Sequence, residues 1–154
     1  MGTILEAKNL ADLYDLPLVD WSAVTARLDR GLTQAPGTGG PDGTFWFETG
    51  ERSRKARNVA RDPRCTLSVA MLEFDLVVEG DAQRITDAAT VTAMAHRWAA
   101  EGWPCTVDES GQALTAEYSA PSAGPPPWFV YRITPRSATA LSIVEPGGAT
   151  RWRF

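Results

Sequence analysis

Apolar and polar positions change their period several times along this chain, and each change marks an element. Residues 44–49 read as a strand, with Phe45 and Phe47 alternating against Trp46 and Glu48, and with Thr49 and Gly50 ending it. Ser53 is placed to cap a helix running to about Arg61, where Asp62 and Pro63 stop it. Alternation returns over 64–70 and puts Cys65, Leu67 and Val69 on one face. Residues 75–80 read as a strand with Leu76, Val77 and Val78 largely buried, and 82–86 as its neighbour or extension. Helical spacing predicts two more helices. The first is capped by Asp20, carries Trp21, Val24 and Leu28, and stops at Gly31; the second is capped by Asp87, carries Val91, Met94 and Trp98, and ends at Glu101 before Gly102. Residues 1–19 are mixed, and Pro17 interrupts any helix there.

The remaining segments are rich in turn formers. Residues 36–43 lack the lysine of a Walker loop, and they lack the third glycine and preceding strand of a dinucleotide fingerprint, so they read as an ordinary loop. Residues 102–127 form a long excursion ending in Pro125, Pro126 and Pro127, with a short helix expected around 113–117. Trp103, Tyr118 and Trp128 either border a pocket there or pack the excursion onto the sheet. Residues 128–134 and 138–144 read as two strands. Pro146, Gly147 and Gly148 then turn the chain into 149–154, making the C-terminus a hairpin.

Length and composition, 154 residues and 44% apolar, predict a single domain with a substantial core. Its parts are an N-terminal helix and Gly-rich loop (1–43), a strand, basic helix and strands (44–86), a helix and long loop (87–127), and C-terminal strands (128–154). No apolar run reaches membrane-span length and the first residues show no leader; Glu6 stands where a myristoylation signal wants Ser or Thr. The expectation is a cytoplasmic protein with no membrane partner. Cys65 and Cys105 have neither metal-ligand nor redox-pair spacing and read as free thiols. His96, the only histidine, falls off the apolar stripe and has no companion ligands, so no metal site is predicted.

Charge changes this picture at one place. The chain carries a formal net charge of −4, yet Arg52, Arg54, Lys55, Arg57, Arg61 and Arg64 supply six of its fifteen basic residues within thirteen positions. A helix N-terminus in that run could hold a phosphate through Ser53, backbone amides, Arg54 and Lys55. A solvated face whose arginines pair with Glu48, Glu51 and Asp62 would look the same. Nucleic-acid binding is not expected, because the chain is acidic overall and its aromatics do not interleave with the basic run.

The succession of a strand ending in Phe47, Glu48 and Thr49, then Ser53-Arg54-Lys55-Ala56-Arg57-Asn58, then Arg61-Asp62-Pro63-Arg64 and a hydrophobic strand resembles the FMN-binding split β-barrel family. This is the pyridoxamine 5′-phosphate oxidase-like superfamily, which also contains enzymes using the deazaflavin coenzyme F-420. The resemblance implies a mainly β fold with flanking helices, an antiparallel split barrel, and a homodimer with cofactor at the interface. It assigns Arg54 and Lys55 to the flavin phosphate with Ser53 in support, and Phe47, Glu48 and Thr49 to the ribityl chain and ring. The closing Arg151-Trp152-Arg153-Phe154 resembles the tail that relatives bring near the flavin, although Arg151 and Arg153 would equally protect a strand edge.

Relatives carry a β-hairpin just before the strand equivalent to 44–49, and no such hairpin is visible here. The barrel would be incomplete by about two strands unless the N-terminal segment or a partner chain compensates, or the sequence omits part of the molecule. The implied function is hydride transfer to or from a small organic substrate by an FMN- or F-420-dependent oxidoreductase, with FMN favoured by the closeness of the Ser-Arg-Lys triplet. Tyr118 or Tyr131 could donate a proton, and no catalytic acid or base stands out. Pyridoxamine 5′-phosphate oxidation itself is not expected, since the tail lacks the Arg-Leu-Ala-Pro type ending. The alternative is a non-catalytic cofactor- or metabolite-binding protein that lost part of the barrel.

Overall fold

A computed structural model of the chain describes residues 3–29, 43–121 and 123–154. The expected stop at Gly31, the loop from Pro36 to Asp42, the side chain of Leu28 and the place where relatives carry the extra hairpin all lie outside the described residues. Among the described residues three α-helices, α1 (Trp21–Asp29), α2 (Arg54–Arg61) and α3 (Ala88–Ala100), and a 3-10 turn at Asp12–Tyr14 accompany eight strands. These are β1 (Glu6–Asn9), β2 (Phe45–Gly50), β3 (Arg64–Ala70), β4 (Phe74–Ile85), β5 (Thr106–Val107), β6 (Leu114–Thr115), β7 (Trp128–Ser142) and β8 (Ala149–Arg153). Among the described residues they make one sheet in the order β1-β8-β7-β4-β3, with β2 pairing β7 and the short β5/β6 hairpin joined to β7 through β6. The fold is mainly β and antiparallel, of split-barrel type.

The residues group into two compact units. Unit 1 comprises Met1–Phe45, Cys65–Asp81 and Thr134–Phe154. Its centre is Trp21 of α1, whose ring lies 5.0 Å from that of Trp152 and 5.1 Å from that of Phe154. Val24, one helical turn on, is fully buried. The Val19 amide donates to Thr150 Oγ1 at 2.7 Å, so the buried threonine on β8 pins the entry to α1. Gly148 is required beside it. Its φ is +131°, and a Cβ would stand 2.8 Å from the Pro17 carbonyl oxygen.

Three expectations about the strands need correction. The stretch read as mixed contains β1, which pairs antiparallel with β8 from Glu6 against Arg153 to Asn9 against Thr150. Its residues are mostly exposed, so backbone pairing makes this strand and no apolar alternation announces it. Val77 is 38% exposed while Leu76 and Val78 are buried, because β4 runs unbroken from Phe74 to Ile85 with period two. The two strands expected at 128–134 and 138–144 are one, β7. Pro135 does not break it, since registered pairing with β8 begins only at Ser137 against Arg153.

Unit 2 comprises Trp46–Arg64 and Ala82–Ile133. The α3 stripe of Val91, Met94, Ala95 and Trp98 packs in one core with Trp46, Leu114, Trp128 and Val130. Asp87 caps α3, accepting from the Thr90 amide at 2.8 Å and the Thr90 hydroxyl at 2.7 Å, and Gly102 follows its end with φ +97°. The short helix expected around 113–117 is instead β6. An Asp108–Gly111 turn closes a hairpin with β5, and fully buried Leu114 registers against Trp128. Trp103 and Tyr118 pack against buried Trp128, with ring centroids at 5.2 and 5.7 Å, and Trp128 Nε1 donates to the Gly124 carbonyl at 2.9 Å. These aromatics fasten the excursion to the sheet.

Truncating Trp152 to alanine should lower the unfolding free energy by about 3–5 kcal/mol in urea titrations, as expected for a fully enclosed aromatic. Thr150→Val, which strands the Val19 amide without changing shape, should cost about 1–3 kcal/mol.

Candidate functional site

Strand β2 delivers the chain to the basic turn, and three small residues set its geometry. Thr49 is wholly buried, and its hydroxyl donates to Ser53 Oγ at 2.8 Å. Ser53 Oγ also accepts from the Ala56 amide at 3.0 Å, and so caps α2 as the sequence predicted. A hydroxyl that accepts twice keeps its own proton available for a third group. Gly50 sits where a Cβ would lie 2.5 Å from the carbonyl oxygen of Ala123, so only glycine lets the strand end approach Ala123 this closely. A cleft of about 540 Å³ opens beside the turn, between Gly50, Glu51, Arg52 and Ser53 and the Pro125–Pro127 wall.

Apart from exposed Glu51, the groups facing outward at this turn are donors and cations. The first amides of a helix have no intrahelical acceptor, the Arg54 and Lys55 side chains are exposed, and neither forms an ion pair among the described residues. The expected pairing of the arginines with local acids is seen at Arg64, whose Nη2 lies 2.6 Å from Asp62 Oδ2. That bond holds the Asp62 carboxyl down at about 2. The Lys55 ammonium lies 5.2 Å from the Phe47 ring centroid, and the Phe47 ring stacks on Tyr131 with centroids 4.9 Å apart and planes 4° from parallel. A monoanionic or dianionic phosphate fits this donor set, and the Phe47–Tyr131 pair offers a flat aromatic surface beside it.

The remaining site candidate on β2 faces the other way. Glu48 shares the Trp46 side of the strand, and burial raises its pKa while Lys55 pulls it down. Its Oε2 is buried without a hydrogen-bond partner among the described residues. Thr49, Ser53, Arg54, Lys55 and Phe47 are thus brought together, whereas strand alternation separates Glu48 from Phe47. Glu48 also acts on its neighbours: burial first, and then the Glu48 charge, push the Cys105 thiol up to about 11. Such a thiol is no nucleophile at neutral pH.

Elsewhere the candidates separate. Cys65 is a free thiol whose Sγ approaches the Gly80 carbonyl at 3.5 Å. His96 is exposed on α3, and among the described residues no cluster of His, Cys, Asp or Glu could hold a metal. Arg151 pairs with Glu79 at 3.0 Å and Arg153 with Glu6 at 3.8 Å, on a strand that β1 covers, so edge protection is not their role here. Among the described residues no helix is long and apolar enough to cross a membrane. Sequence reasoning missed Arg52 and the proline wall as lining of the cleft. The one available signal was a glycine closing a strand, which marks a close backbone approach.

Ser53→Ala should cost about 1 kcal/mol of stability through loss of the cap. Glu48 tests the electrostatics. Its raised pKa means the folded state disfavours the charged form, so the penalty is absent below the ordinary carboxyl range and grows as pH rises through the raised value. Glu48→Gln should therefore stabilise the protein at neutral pH and lose that advantage in acid, read from urea midpoints across pH.

A model of the pyridoxamine 5′-phosphate oxidase family matches residues 31–142, well over half of the chain. Solved structures that match include a pyridoxamine 5′-phosphate oxidase-related, FMN binding protein from Nostoc punctiforme, 18% identical over 87% of this chain and 91% of that one, with a TM-score of 0.49. No curated protein matches the chain. On the family match, which spans the basic turn, α2 and strands β2 to β7, the chain belongs to the pyridoxamine 5′-phosphate oxidase-like split-barrel family.

Proposed function

We propose that this chain binds FMN and acts as an oxidoreductase on a small organic molecule, with the deazaflavin coenzyme F-420 as the other cofactor its phosphate turn could serve. The observation that carries the reading is the capped N-terminus of α2, where Ser53 with its spare proton lines a cleft and the first-turn amides and the exposed Arg54 and Lys55 side chains stand at the same turn. Family membership supports it. Bound flavin would supply two-electron hydride chemistry. The protein's own residues would hold the phosphate at the turn and offer the Phe47–Tyr131 stack as an aromatic surface. Tyr131 is nearly buried, and burial raises its pKa, so the phenol keeps its proton at neutral pH and could donate it. We read the functional unit as a homodimer, following the family resemblance, and place it in the cytoplasm on the sequence expectation.

The test is titration of the purified protein with FMN and, separately, F-420, followed by absorption spectroscopy. Saturable binding should weaken at least tenfold in Arg54→Ala/Lys55→Ala, since two charge-assisted contacts are worth about 1.5–3 kcal/mol each. Absence of binding by both cofactors to wild-type protein would overturn the reading. Bound cofactor that no substrate reduces or oxidises would favour a binding protein over an enzyme.

A further inference from the structure

Unit 2 contains a second cleft, of about 500 Å³, walled by Ala56, Arg57 and Val59 of α2, Ala82 and Arg84 of β4, and Tyr131 of β7. This size lies within the range of small-molecule sites. Its floor is apolar: Ala56, Ala82 and Tyr131 are 5%, 4% and 6% exposed. Two guanidiniums stand at the same opening. The Arg84 guanidinium lies 3.4 Å from the Phe129 ring centroid, so an aromatic face and not a carboxylate holds it in place. Neither Arg84 nor Arg57 forms an ion pair among the described residues.

A guanidinium stacked through its face keeps its N–H edge free for a planar, two-oxygen acceptor. The geometry points to a small organic carboxylate as the ligand of this cleft, its apolar body on Ala56, Ala82 and Tyr131 and its carboxylate on Arg84 and Arg57. The Tyr131 hydroxyl, within electrostatic reach of Arg84 and Glu51, supplies a neutral donor at the same wall. Glu51 also lines the opening and repels an anion, so it weakens binding that the two arginines favour. A bare phosphate would use the arginines and leave the apolar floor uncovered, which is why the carboxylate carries an apolar body. This site goes beyond the cofactor reading; it shares Tyr131 with the aromatic surface of that reading but rests on Arg84 and Arg57, which that reading does not use.

The probes are benzoate and hexanoate, with benzamide as the neutral match for benzoate and inorganic phosphate as the anion without a body. Titrations followed by amide and tyrosine NMR shifts on the full chain should show saturable binding of at least one carboxylate, at least tenfold tighter than benzamide or phosphate. Arg84→Met keeps the stem over Phe129 and removes the charge; it should weaken the carboxylate at least tenfold and leave benzamide unchanged. Glu51→Gln should tighten it. Arg84→Lys guards against a folding artefact, keeping charge without the fork and giving intermediate affinity. No carboxylate binding at tens of millimolar, equal affinity for benzamide, or an unchanged affinity in Arg84→Met would each overturn the proposal. FMN titration of the same variants separates the two readings: carboxylate binding without flavin binding retains this site and sinks the cofactor proposal, and the converse does the reverse.

Discussion

The hydroxyl pair of Thr49 and Ser53 joins the last residues of β2 to the first turn of α2, and the basic turn depends on it. Thr49 is fully buried, so its hydroxyl must have a partner, and the partner it finds is the cap of the next element. Losing such a partner costs about 1–3 kcal/mol, more than the bond itself returns when made. The pairing therefore constrains where α2 begins far more than a surface cap would. Gly50 adds the second constraint by letting the strand end approach the Ala123 carbonyl, which brings the proline segment to the cleft.

Once the turn is placed, its electrostatics follow from what the cations rest upon. Arg64 is drawn into a bond with Asp62, whereas Lys55 and Arg84 stand over the rings of Phe47 and Phe129. A ring attracts a cation without taking up its N–H groups, which remain available to an anion. An acidic chain thus keeps a locally positive surface around α2. Burial works in the opposite sense at Glu48 and Cys105, where desolvation disfavours the charged forms: it raises the Glu48 carboxyl and pushes the Cys105 thiol up to about 11.

Much of this was legible in the residues themselves. The Ser53 and Asp87 caps, the stop at Asp62 and Pro63, the Gly102 terminus and the faces of α3 and β3 all rest on interactions within a few residues, and local chemistry alone specifies those. The concentration of positive charge at the start of α2 and the family resemblance it carries were likewise readable from order and spacing.

Other features needed the folded chain. Strand β1 has no apolar face and exists because β8 offers it a backbone edge; β6 is a strand and not a helix because Leu114 is buried against Trp128; β7 passes through Pro135 because its pairing with β8 starts beyond it. The same holds for the sites. Glu48 and Phe47 are neighbours in sequence and lie on opposite faces, and Arg84 gains its ring from Phe129, far along the chain. The sequence by itself determined the capped basic turn and the local elements, whose partners lie within one helical turn. The tertiary structure alone decided which strands pair, which carboxylate is left without a partner and which arginines share a cleft, because those contacts join residues that no local pattern links.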